Sequence, residues 1–303
     1  MRLKIGMVFL RMKKTISYIL CVLMLSCILI CAEADGTSER AVIGADLTNE
    51  QIMLVYQAFG VQQGSVTELK LTNAEERRYL EGFVDSSVIG TRSISCVYVE
   101  VLPAGMGMNV ATNNITWCTG DMYANALATA GITDARVIVA APFPVSGTAA
   151  LAGVYKAYED ITGQKLNSQA KDAGTQELTV TGELAQDIGT SDSASIVQEL
   201  KLMLNETQKM SDAELRIAIT TVASHYRVSL TETQIGQLVS LCRTLEKLDP
   251  ASLKDKVTDV QGTLEKVSDA KDQVVGFAQT LKNLFDSMQG FFEKLQSLLN
   301  KFG

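Results

Sequence analysis

Strands and helices alternate along residues 41–165 and then the strands stop, and this change of period constrains the fold more than any other feature of the chain. AVIGADL reads as a short strand, and Thr48-Asn49-Glu50-Gln51 as a capping box: a hydroxyl covers one free helical N–H while the residue three places on reaches back to cover another. That box opens a helix ending at Gly60. VTELKL is a second strand, and Thr72-Asn73-Ala74-Glu75 opens a second helix in the same way, to about Phe83. SISCVYVEVL is β-branched, Pro103 to Gly107 turns the chain, and MNVATNNI returns, which predicts a hairpin. The helix GDMYANALATA stops at Gly131, the strand ARVIVAA follows, and PFPVSGTAALAG leads into a helix that ends at Gly163. Strands in alternation with helices predict an α/β fold, a mixed sheet layered with helices.

After residue 166 the period is helical. SASIVQELKLML, the capped SDAELRIAITTVASHY (Ser211 with Glu214) and the capped TETQIGQLVSLCRTLEKL (Thr231 with Gln234) are amphipathic helices, whereas the Thr-rich TQELTVTG before them fits neither period well. Leu47–Ile52 and Leu230–Ile235 look alike, and two capping boxes account for the likeness without an internal repeat. From Leu253 to Phe302 apolar residues recur at spacings of four and three with Lys271 the one polar member, the pattern of a long amphipathic, coiled-coil-like helix of about seven heptads. Phe277, Leu284, Phe291 and Leu298 widen the stripe beyond what should face water. It therefore packs on this chain, on an identical one, on an envelope partner, or on a membrane surface. Surface-binding helices usually carry more Lys and Arg than this one does.

At the other end, MKKTISYILCVLMLSCILICAEAD from Met12 has two lysines, an apolar run, and Ala32-Glu33-Ala34 before Asp35. Those are the three parts of a secretory signal, so residues 1–34 are expected to be a cleaved export segment with Met12 as its start. Cys27 and Cys31 lack the small-residue setting of a lipidation site, and the run falls short of the ~18 apolar residues that a span takes. The expected organisation is a signal over 1–34, an α/β domain over 35–165, a helical region over 166–248 and the amphipathic helix over 249–303. Removing residues 1–34 takes away five basic residues and one acidic residue, leaving 22 against 33 and a net charge near −11. Such a balance argues against nucleic acid, whose phosphates need clustered Lys and Arg. The cysteines left are Cys96, Cys118 and Cys242. Export permits a disulfide between Cys96 and Cys118, on either side of the predicted hairpin, the alternative being two buried small residues; Cys242 lies on the apolar stripe of its helix.

PFPVSGTAALAG is the stretch most like a site of chemistry. A phosphate loop fails, because five residues separate Gly147 from Gly153 and no Lys follows before Lys156. A nucleophile elbow fails as well, since Pro144 and Thr148 flank Ser146 where glycines belong. What survives is Ser146, Gly147 and Thr148 at a helix N-terminus, where free N–H groups favour an anion and Arg92 is a nearby fixed cation; the plainer alternative is that Ser146 or Thr148 caps the helix. Thr112 to Trp117 is a further polar cluster near a strand end. His225 is the one histidine and sits beside an apolar helix face with no ligands at metal spacing, so neither a metal nor another cofactor is expected. Ser168 and Lys171 match a Ser-x-x-Lys pair by chance, without its companion motifs.

The stretches GADLTNEQ, LTNAEERRYLEG and IGTRSISCVYVEV through KAYEDITG resemble an exported bacterial family known as domain of unknown function 1002, over roughly residues 41–248. The resemblance implies a protein acting outside the cytoplasm and carries over no catalytic residue. In that family Ser or an aliphatic residue stands at the positions of Cys96 and Cys118, which speaks against a bridge. The combined expectation is a secreted or envelope protein that binds or scaffolds through its C-terminal helix. The alternative is a hydrolase or small-anion binder using Ser146–Thr148.

Overall fold

The computed structural model describes residues 38–84, 86–251, 253, 255 and 256, and the expected export segment and nearly all of the 4-3 series lie outside them. Strands β1 (Glu39–Gly44), β2 (Thr67–Leu71), β3 (Cys96–Val101), β4 (Met108–Ile115) and β5 (Ala135–Val145) form one five-stranded mixed sheet in the order β2-β1-β3-β5-β4. The connecting helices are α1 (Asn49–Phe59), α2 (Asn73–Leu80), α3 (Ser86–Ile89), α4 (Gly120–Ala130) and α5 (Ala150–Thr162). Then come α6 (Ser168–Ile188), α7 (Thr190–Leu202), α8 (Leu204–Thr207), α9 (Asp212–His225) and α10 (Glu232–Leu245). The capping boxes of α1, α2, α9 and α10 form as their sequences predict, so the likeness between Leu47–Ile52 and Leu230–Ile235 is two boxes.

The sheet departs from the sequence reading at the predicted hairpin. β3 and β4 are not neighbours: β5 lies between them, antiparallel to β3 and parallel to β4. The chain from Leu102 to Gly107 arches over the start of β5, with the Leu102 N–H donating to the Asp134 carbonyl (3.0 Å) and the Gly107 N–H to Asp134 Oδ1 (2.8 Å). The ladder hydrogen bonds that a hairpin would close between β3 and β4 go to β5 instead.

Alternate strand residues then fill two cores. Ala41, Ile43, Cys96, Tyr98 and Ile138 meet Val55, Tyr56 and Phe59 of α1 on one face. Val42, Val97, Val99, Val137 and Val139 meet α4 and α5 on the other, and Cys118 lies in that second core. Cys96 and Cys118 are therefore separated by the sheet itself, and both are free and buried, the alternative of two buried small residues and not the bridge. Burial pushes each thiol up to about 12, so neither is a thiolate at neutral pH.

TQELTVTG belongs to α6, and the structure shows why it resisted assignment. Thr175, Thr179 and Thr181 are buried with their hydroxyls donating to the carbonyls of Lys171, Thr175 and Glu177 (2.9, 2.9 and 2.7 Å), so the residues that look β-like are satisfied within the helix. Gly174 and Gly182 let neighbours close in: an added Cβ would stand 2.5 Å from the Ala126 carbonyl oxygen or 2.6 Å from the Trp117 ring. α6 also joins the two halves, giving Leu178 to the sheet core and Ala173, Val180 and Leu184 to a helical core completed by α7, α9 and α10. The end of the strands near residue 166 is thus no seam in the packing.

Candidate functional site

β1, β2, β4 and β5 all point the same way, each antiparallel to β3 or parallel to a strand that is, so their carboxyl ends share one edge of the sheet. Helices α1, α2, α4 and α5 each follow one of those strands and begin at that edge. Four helix N-termini with their positive dipole ends therefore collect where open α/β sheets place ligands; Thr48, Thr72 and Thr119 cap those of α1, α2 and α4, and that of α5 has no side-chain cap. The ligand-binding candidates Ser146, Gly147, Thr148 and Arg92 all lie at this edge.

The Ser146–Thr148 turn is built around Gly147, whose φ of +95° is open to glycine and whose absent Cβ would stand 2.5 Å from Ile115 Cγ2. The Gly147 carbonyl accepts from the Tyr123 hydroxyl (2.5 Å) and from the Ala150 N–H (2.9 Å), and the Ser146 carbonyl from the Cys118 N–H (3.3 Å). Neither Ser146 nor Thr148 caps α5: Ala149 occupies that position and no side chain bonds the first turn. The capping alternative is thereby replaced by a turn held through its carbonyls. Thr148 is 1 % exposed and its Oγ1 is buried without a hydrogen-bond partner.

Arg92 lies on the same edge but is committed elsewhere. Its guanidinium donates to the Asp46 carbonyl (3.0 Å), and no hydrogen bond links it with the Ser146–Thr148 turn. Around it stands a cluster that the sequence reading named only in part. The Ser93 N–H donates to Asp46 Oδ2 (2.7 Å) and the Ser93 hydroxyl to Glu76 Oε1 (2.5 Å), while Asn73 Nδ2 donates to Glu76 Oε2 (3.3 Å). Glu76 is 0 % exposed. Burial pushes its carboxyl up to about 7 against the two hydrogen bonds, and the nearby Asp46 charge adds to the rise. Glu76 escaped notice because it reads as one more charge in NAEERRYL; its register with the buried Leu80 four places on was the available signal. The two halves of the edge meet through packing, Ala149 belonging to one buried cluster with Leu80, Val84 and Ile89.

The remaining sequence candidates resolve into structure. Asn114 takes φ +57° at an irregularity in β4 and its Nδ2 donates to the Ala141 carbonyl (2.9 Å). Trp117 packs on Gly182, and its Nε1 is buried without a partner. His225 ends α9 with Nδ1 3.6 Å from Glu199 Oε1, beside a buried carboxyl that burial shifts upward. Lys171 donates to Glu159 (2.8 Å) and is not paired with Ser168. Among the described residues no three His, Cys, Asp or Glu side chains gather as metal ligands, and no helix is long and apolar enough to cross a membrane.

A mixed sheet with its helix N-termini on one edge, extended by a helical layer that shares α6 with it, defines an α/β protein with an appended helical region. The chain belongs to the family described as "Protein of unknown function (DUF1002)", which matches residues 43–267 and so runs on from the described body into the 4-3 series. It is similar to "Uncharacterized protein YpuA" of Bacillus subtilis (strain 168), 34% identical over 253 residues that cover 82% of this chain and 84% of that protein. No solved structure matches it.

Proposed function

We propose that this is an exported, envelope-associated protein that acts by binding, with the apolar seam of residues 250–303 as its association surface. The observation that supports this reading is Leu253, the first residue of the 4-3 series, which is 3 % exposed in the helical core beside Leu245. The series thus starts from an anchored point on the body, and its sequence continues with an apolar stripe wider than a solvent-facing helix carries. Sedimentation of the full mature chain tests it, with Leu284→Glu/Phe291→Glu as the variant. Association in the parent and a monomer in the variant are expected, and a monomeric parent sinks the reading.

The partnerless Thr148 hydroxyl at the start of α5 supports a second reading, in which the sheet edge binds a small anion. Its hydrolase form cannot draw on His225, which stands against Glu199 in the helical region. Thermal shift with inorganic phosphate on the parent and on Thr148→Val tests the anion form: a shift lost in the variant supports it, and equal responses remove it.

A further inference from the structure

At the opposite end of α5 from the Ser146–Thr148 turn, a groove of about 600 Å³ opens between α2, α5 and the edge of β2. We infer that this groove is a binding site for an anionic molecule of sugar or polyol size, whose carboxylate or phosphate is taken by Arg78 and Lys165.

The carboxylates of the groove already have partners. Glu75 accepts from Lys156 Nζ (2.7 Å), which also donates to the Lys70 carbonyl (2.5 Å). Asp160 is paired with Arg40 (2.6 Å). Glu159 accepts from Lys165 (2.7 Å), Lys171 (2.8 Å) and the Leu166 N–H (3.2 Å). Each carboxylate that lines the groove is therefore satisfied. Arg78 is the exception among the cations: it is exposed on α2, and no hydrogen bond or ion pair engages its guanidinium among the described residues. Five unspent donors in a planar fork suit the paired oxygens of a carboxylate or phosphate.

Lys165 is the second available cation. Its side chain is 87 % exposed whereas that of Glu159 is 5 % exposed, so the ammonium can turn to a ligand without leaving water. If Lys165 turns to a ligand, Glu159 keeps Lys171 and the Leu166 N–H, so the move leaves no buried charge alone.

The lining and the shape agree with this. Arg78, Lys156 and Lys165 stand against Glu75, Glu159 and Asp160, an even balance in which all three carboxylates have partners and the Arg78 guanidinium is left for a ligand. Leu69 and the Tyr79 ring supply apolar wall, and the ring is held in place by Tyr155 (6.0 Å between centroids) and by Lys171 (5.1 Å). The volume is in the small-molecule range of roughly 300–1,000 Å³, more than a bare ion fills.

Calorimetric titration of the full chain with glucose 6-phosphate, glucuronate and glucose tests the site and separates the phosphate source from the carboxylate source. At least one charged sugar is expected to bind saturably while glucose does not, and the one that binds names the source. Arg78→Gln should weaken that binding by roughly tenfold, Lys165→Gln by less, and the pair should abolish it. The unliganded Arg78→Gln protein should melt as the parent does, because Arg78 holds nothing in the fold. Thr148→Val and Arg92→Gln should bind as the parent does, which keeps this site distinct from the sheet edge. No binding of either charged sugar, or binding that the Arg78→Gln/Lys165→Gln protein retains, overturns the inference.

Discussion

The sheet half and the helical half bury different things. Around β1, β3 and β5 the interior is apolar on both faces and the backbone satisfies itself through the ladder, so buried charge lies at the ends, at Glu76 on the carboxyl edge and at Glu159 near the far end of α5. The helical half has no ladder to set its spacing, and it buries charge at the centre. Lys201 of α7 is 0 % exposed, donating to Glu177 Oε1 of α6 (2.8 Å) and to the Asn125 carbonyl of α4 (3.1 Å), while the Thr129 hydroxyl donates to Glu177 Oε2 (2.5 Å). One polar network thus ties α4 of the sheet half to α6 and α7. A strand finds its place through its neighbours' N–H and C=O groups, whereas a helix can slide along its partners. A buried pair with one satisfying geometry offers a way to fix that register.

The largest expected effect follows from breaking that network on one side. Lys201→Met leaves the Glu177 carboxylate buried with the Thr129 hydroxyl alone and should cost about 3 to 5 kcal/mol in urea unfolding, whereas Lys201→Met/Glu177→Leu should recover most of it. Should the double variant be as unstable as the single one, the pair contributes attraction of its own and the contrast between the halves is sharper than drawn. A mild Lys201→Met would show instead that water reaches the pair, and the contrast would fail.

Next comes steric fit. Gly182→Ala puts a Cβ where the Trp117 ring stands, 2.6 Å away, and overpacking of that kind costs about 1 to 3 kcal/mol. Helix propensity alone favours Ala over Gly by about 1 kcal/mol, so the sign of the measured change in thermal midpoint separates packing from propensity. The same residues explain what could be read beforehand. Capping boxes at Thr48, Thr72, Ser211 and Thr231 were legible because donor and acceptor lie three residues apart. The insertion of β5 between β3 and β4 was not, because the deciding bonds to Asp134 come from residues about thirty positions away in sequence. α6 was obscured since its glycines serve neighbours, Ala126 and Trp117, that its own sequence does not announce.

The edge site was half legible for a related reason. Ser146, Gly147 and Thr148 follow a strand and precede a helix, which places them from local pattern; Glu76 and Asp46 join only through Ser93, which tertiary packing brings to both. Glu76 gives the next effect down. Its carboxyl lies near 4.5 when unfolded and about 7 when folded, so the native state binds the extra proton. The stability this contributes is complete below pH 4.5, falls as pH rises between the two values, and is gone above about 7. Glu76→Gln does not titrate, so it should match the parent at pH 4 and exceed it by about 3 kcal/mol at pH 8. Denaturant midpoints at the two pH values read this directly. Glu199 shifts in the same direction and supplies a background slope common to both proteins, so the difference between them isolates Glu76. A constant difference across pH would place the Glu76 charge in a solvated setting and undo the claim that the edge buries it.

The smallest effect concerns Thr148 and bears on whether the sheet half keeps its polar groups satisfied everywhere. A helix-capping threonine replaced by valine loses about 1 kcal/mol. Thr148 makes no cap bond and its hydroxyl is buried without a partner, so Thr148→Val keeps the shape, removes a desolvated polar group, and should leave stability unchanged or raise it by up to about 1 kcal/mol. A loss of a cap's size would mean that the hydroxyl bonds an ordered water or the α5 N–H groups in solution, and the edge would then be as self-satisfied as the rest of the sheet. A gain, together with loss of the phosphate response, would mark the hydroxyl as a group kept unpaired in the resting protein because its partner is the ligand.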